Sequence, residues 1–184
     1  MGKKEFTINL VRSELVLHIR QIAYGLAKTE QPKEGELNDR TWLTDIFQGD
    51  NETGEEGQDT MLSELATREM TRSVHRLVNW MKENITGHVT QDEAKYDNQY
   101  RQPSEYHIHL MVDEDYTSES GKYLVDVAHS AVVYDTLLKW CTLYAPQHAE
   151  RLAVMKEQAD EEMVDAVSNL QGSGVLQFPA YPAF

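Results

Sequence analysis

The sequence predicts a mainly α protein: a bundle of about four helices with a small two-stranded antiparallel β ribbon and an extended C-terminal tail. Three observations lead there. Four stretches carry apolar side chains three and four residues apart, the spacing that gathers them on one helix face. Two shorter stretches alternate apolar and polar side chains, as a half-buried strand does. Residues 175–184 are uncharged, hold two prolines and follow Gly172-Ser173-Gly174, a composition that cannot continue a helix.

The elements follow in order along the chain. Phe6, Ile8 and Leu10 alternate with Thr7 and Asn9, which predicts a strand over residues 5–11. From Ser13, a capping residue type, Leu15, Val16, Ile19, Ile22, Ala23 and Leu26 form one stripe, and the helix is expected to end near Ala27. Residues 28–60 form a long acidic loop with Pro32 and four glycines, interrupted by Trp42, Leu43, Ile46 and Phe47. Loops of this length commonly carry function, and Trp42 and Phe47 are its anchor residues.

Asp59 or Thr60 can cap a second helix on which Leu62, Leu65, Ala66, Val74, Leu77, Val78, Met81 and Ile85 return to one face before Gly87 stops it. Residues 91–103 are polar and read as a loop or short helical turn. Tyr106, Ile108, Leu110 and Val112 alternate with His107, His109 and Met111, which predicts a second strand that pairs with the first. Asp113, Glu114 and Asp115 then collect negative charge where Thr117 or Ser118 begins a third helix. Its broad apolar surface, with Tyr123, Leu124, Val127, Ala128, Ala131, Val132, Leu138 and Cys141, makes it the central helix. Ala145-Pro146 breaks it, and Pro146 opens a fourth helix on which Leu152, Met155, Ala159, Met163, Val167 and Leu170 make a narrow seam.

The 184 residues suffice for one core but not for two well-buried ones, so residues 1–171 are read as a single helical domain and residues 172–184 as an extended interaction tail. With 31 acidic against 17 basic side chains the formal net charge is -14, a field that repels phosphate backbones. Sequence-specific nucleic-acid binding is therefore not expected, although an acidic wall suits a ring through which DNA passes without sticking. Cys141 is the single cysteine, which rules out an intrachain disulfide and fits a reducing cytoplasm. No stretch has the run of about 18 apolar residues that a membrane span needs, and no apolar signal core follows Met1, so a soluble product without a membrane partner is expected.

Candidate chemistry is sparse. His107-x-His109 puts two imidazoles on one strand face, and Asp113 or Asp115 could complete a metal site, but the polar face of a ribbon explains the same pattern. His18, His75 and His129 each fall within a helix, without a His-Glu-x-x-His pair. Cys141 lies mid-helix between Trp140 and Thr142 as a small apolar residue. Glu161 and Glu162 are adjacent on a helix and point apart, Glu55 and Glu56 lie in a loop, and no Lys-Ser/Thr pair follows Gly172-Ser173-Gly174. No catalytic, cofactor-binding or metal residue is assigned. Interaction is a better reading, because a tail with Phe178, Tyr181 and Phe184 and no charge needs a surface to cover it.

Two blocks resemble a known group of proteins. Phe6-Thr7-Ile8-Asn9-Leu10, followed by Arg12, Glu14-Leu15, Ile19 and Ala23-Tyr24, resembles the opening of small proteins carried by tailed phages and prophages of Bacteroidetes. Tyr106-His107-Ile108-His109-Leu110 through Asp113 to Asp115, then His129, Tyr134, Leu137-Leu138 and Trp140, with an acidic helix after Pro146, resembles the strand, acidic turn and long helix that end them. The blocks cover about half the chain. The resemblance implies a structural virion protein, made in the bacterial host's cytoplasm, of the head-to-tail connector or adaptor type that forms neck rings beneath the portal. Implied partners are further copies in a ring and other portal, neck or tail proteins, with no cofactor and no enzymatic activity. Trp42, Phe47, Phe178, Tyr181 and Phe184 are the expected interface residues. A tail-completion or tail-terminator subunit, or a small acidic regulatory or inhibitory module, are the alternatives.

Overall fold

Ile8 and Leu10, on one side of the first strand, and Ile108 and Leu110, on one side of the second, are all buried, and their removal from water drives the two segments together. In the computed structural model, which describes residues 2–29, 61–85, 88–92 and 104–170, the first strand is β1 (Lys3–Val11) and runs straight into α1 (Arg12–Thr29). Helix α2 (Met61–Asn84) and the short strand β2 (Val89–Gln91) follow, then β3 (Glu105–Asp113), α3 (Ser118–Tyr144), a 3-10 turn (Pro146–His148) and α4 (Ala149–Leu170). The protein is mainly helical with a small antiparallel sheet, as expected.

The sheet differs from expectation in one respect. It has three strands in the order β1-β3-β2, not two. β1 pairs with β3 from Lys3↔Asp113 to Val11↔Glu105, and Val89, Thr90 and Gln91 pair with Leu110, His109 and Ile108. β2 is too short to display a period, and its one buried side chain, Val89, is the only hint of it. α1 also starts at Arg12, before the expected cap at Ser13, and continues past Ala27 to Thr29. The 30–60 part of the acidic loop, with Trp42 and Phe47, and the tail with Phe178, Tyr181 and Phe184 lie outside the described residues.

α3 is the element on which the others lie: α4, α2, α1 and β1 all pack against it. Thr117 caps it, accepting the Ser120 N–H at 3.2 Å, and Gly121, Leu124, Val127, Ala128, Ala131, Val132, Val133, Thr136, Leu137, Trp140 and Cys141 are buried on several of its sides. Tyr123, expected on the apolar surface, is instead exposed. The α4 seam of Leu152, Ala159, Met163, Val167 and Leu170 is buried within this same core, so it packs on its own chain. The similar segments around the two tryptophans diverge in packing: Trp140 is buried against Tyr144 at 4.4 Å, whereas Trp80 is half-buried.

Phe6 reaches across to the first turns of α3 and meets Tyr116 edge-on at 5.5 Å. The approach depends on Gly121, where a Cβ would stand 2.7 Å from Phe6 Cε2. Lys4 adds a polar tie, donating through Nζ to the Glu114 carbonyl at 3.0 Å and the Tyr116 carbonyl at 2.8 Å. The acidic turn is thereby fastened to β1. Replacement of Gly121 by Val should cost about 1–3 kcal/mol through overpacking against Phe6, read as a lower denaturant midpoint at unchanged m.

At the α1–α3 contact, His18 stacks on His129 with ring centroids 5.3 Å apart and planes 22° apart, and Tyr134 meets His18 edge-on. Burial holds both imidazoles below their ordinary pKa; for His129 the His18 charge adds to that, while Glu14 and Asp126 oppose it. The unfolded chain thus takes up these protons first as pH falls. Their contribution to stability is intact above the unfolded pKa of about 6.5 and declines as pH drops from there toward the lower folded values. Denaturation midpoints measured from pH 7.5 to 5 should therefore fall more steeply for the native protein than for His129→Phe.

Candidate functional site

The antiparallel ladder sends alternate side chains to opposite sheet faces. Phe6, Ile8, Leu10, Ile108 and Leu110 face the helices, so Glu5, Thr7, Asn9, Glu105, His107 and His109 share the outer face. There they form one polar network. Asp92, just beyond β2, places Oδ2 3.3 Å from His107 Nδ1 and Oδ1 3.2 Å from His109 Nε2. Glu105 Oε2 lies 3.0 Å from His107 Nε2 and accepts from Asn9 Nδ2 at 3.2 Å, while His109 Nδ1 lies 3.0 Å from Thr7 Oγ1 and 3.3 Å from Glu5 Oε1.

Charge and hydrogen bonding move the network's pKa values in opposite directions. Glu105 chiefly favours the imidazolium of His107 and raises its pKa; burial opposes it, and Asp92 adds to the rise. In return His107 and then His109 hold the Asp92 carboxyl below its usual range, and His107 and Asn9 do so for Glu105. The sequence singled out the two histidines but paired them with the wrong acids. Asp113 stands four residues beyond His109 on β3, roughly 13 Å away at the rise of a strand, and Asp92 takes its place because β2 lies beside β3. Among the described residues no group of three or more His, Cys, Asp and Glu side chains is arranged to hold a metal ion.

A second polar cluster lies where α2, α3 and α4 meet. The Arg76 guanidinium donates through Nε to Asp135 Oδ2 at 2.7 Å and through Nη2 to Glu69 Oε1 at 2.6 Å and Ser73 Oγ at 2.9 Å. Asp135 is buried, and beside it Thr136 donates to the Val132 carbonyl at 2.7 Å, with its Oγ1 3.1 Å from Ser73 Oγ. The adjoining cleft, about 210 Å³, has Trp80, Met163 and the Lys156–Asp160 pair in its walls. Because both cations are already matched by carboxylates, the cluster ties the helices together and leaves neither cation free for an anionic ligand.

The third feature is an open groove of about 440 Å³ between β1 and the start of α3, bounded by Phe6, Thr7, Asn9, Ser118, Gly121, Lys122, Val125 and Asp126. Phe6 comes from the inner sheet face, Thr7 and Asn9 from the outer one. A cavity bounded by both faces of a strand runs along that strand's edge, and β1 is an edge strand. Its surface is mostly apolar. Sequence reasoning missed this groove, for which no motif exists.

The remaining candidates have packing or surface roles. Cys141 is buried and its thiol is pushed up to about 12 by burial, so the nucleophilic thiolate is suppressed at neutral pH. His75, Glu161 and Glu162 are exposed. No helix among the described residues is long and apolar enough to cross a membrane.

Glu105→Gln removes the first of the two carboxylates that favour protonated His107. Its imidazole pKa, followed by NMR titration of the ring protons, should fall toward the ordinary value of about 6.5, with His18 and His129 unmoved. Compared with protein-family models, curated proteins and solved structures, the chain matches none.

Proposed function

We propose that the chain is a structural subunit of a multi-copy assembly, of the head-to-tail connector type that forms the neck of a tailed bacteriophage, and that its work is association. One observation carries this reading. The two blocks that resemble phage proteins fall on β1 with the start of α1, and on β3 with the acidic turn and α3. These are the segments that pair and pack on one another, so the likeness covers the strand pair and the central helix against which the rest of the core is packed.

Surface composition supports association as the output. Leu143 is 74% exposed, Leu17 57% and Val154 52%, apolar side chains for which a second protein is a better neighbour than water. Residues 175–184 add Phe178, Tyr181 and Phe184 without any charge, and aromatic anchors of this kind dominate interface energies. The net charge of -14 would keep a duplex moving through a ring from adhering to its wall.

Native mass spectrometry of the purified chain should give a closed, high-order oligomer. Deletion of residues 175–184 should abolish it and leave a monomer with an unchanged far-UV circular dichroism spectrum. A full-length chain that stays monomeric at high concentration would refute the reading.

A further inference from the structure

The register of the sheet determines which backbone groups of β1 are spoken for. Gly2 O accepts the Glu114 N–H at 3.2 Å, and the Arg12 N–H donates to Ser104 O at 2.9 Å. Both pairs continue the register that sets Ile8 opposite Ile108, and in an antiparallel ladder hydrogen-bonded pairs alternate with non-bonded ones. The even-numbered residues of β1 therefore exchange backbone bonds with β3. Lys3, Glu5, Thr7, Asn9 and Val11 turn their N–H and C=O groups to the other side, where no strand lies among the described residues. Such a row of amides is a template for another extended segment.

Beside these amides runs the groove floored by Phe6, Gly121 and Val125. Its charged residues are Lys122 and Asp126, one of each sign and four apart on α3. In a chain of net charge -14 this is a locally neutral, apolar trough. An uncharged segment enters it without giving up the hydration of an ion.

We propose that the open edge of β1 is a strand-acceptor site, and that its occupant is residues 175–184 of a second copy of this chain. The segment carries no charge and so matches the groove. Leu176 and Phe178 alternate with Gln177, which puts both apolar side chains on one side of an extended strand, toward Phe6 and Val125, and the amide toward water. Pro179 has no N–H and ends the ladder there. Four residues, 175–178, span about 13 Å of an edge roughly 30 Å long, so Tyr181 and Phe184 remain to seat further along. Donor and acceptor are different parts of the chain, which makes the contact head-to-tail and allows a ring to close. The proposal rests on the multi-copy reading and assigns its linkage.

Two full-length variants test it. Thr7→Pro removes an outward N–H and leaves the bonds to β3 in place, so this chain can donate but not accept. Leu176→Asp/Phe178→Asp can accept but not donate. Native mass spectrometry should show each variant alone as a monomer and their mixture as a 1:1 complex that grows no further. Val125→Lys, which charges the groove floor, should behave as Thr7→Pro does and decides the matter if the proline variant is misfolded by circular dichroism. An oligomer retained by the acceptor variants would overturn the proposal while leaving the multi-copy reading in force. An oligomer lost in Thr7→Pro but kept in Leu176→Asp/Phe178→Asp would mean that two β1 edges pair with each other, and would also overturn it. An absent complex in the mixture would exclude exchange between copies, and a monomeric native chain would remove both readings together.

Discussion

The antiparallel ladder between β1 and β3 is the constraint from which the rest of the molecule follows. It joins residues about a hundred positions apart, Lys3 with Asp113 and Val11 with Glu105, so the chain must bear the entropy of closing a long loop before any of those bonds form. Burial of Ile8, Leu10, Ile108 and Leu110 on one face offsets that cost. Because side chains alternate strictly, the same register places His107, His109, Glu5 and Asn9 on the opposite face, and a slip by one residue would exchange the two sets.

From the ladder the chain proceeds to α3 within a few residues, and the turn between them is held from β1. Lys4 caps the carbonyls of Glu114 and Tyr116, and Phe6 fills the space left by the missing side chain of Gly121. The start of the central helix is thereby set relative to the sheet, and α1, α2 and α4 lie around α3. Arg76, Asp135, Ser73 and Thr136 connect α2 to α3 through polar groups that satisfy one another. Such a network costs little when complete and much when broken, so it favours one packing of the helices over alternatives with similar apolar burial.

Function, on this reading, is written in what the core leaves uncovered. The apolar stripes of the helices are largely consumed internally, the α4 seam among them. Among the described residues what stands out is the edge of a sheet, a groove with balanced charges and a few exposed aliphatic residues. On the proposed function these features would serve adhesion, with specificity drawn from backbone direction and shape.

Local periodicity was enough to place β1, β3 and the four helices, because the strands and the outer helices bury one face that spacing reports, and the broad apolar surface of α3 marks it as central. The buried stripe of α1 and the seam of α4 could be read residue by residue, and the capping Thr117 stood where acidic and hydroxyl side chains converge. Spacing could not show β2, whose three residues are strand only because β3 lies beside them. Nor could it pair His107 and His109 with Asp92, expose Tyr123 or uncover the edge groove. Each of those depends on which segments, distant in sequence, become neighbours, and that is decided by the packing of the whole chain and not by the pattern of any one part.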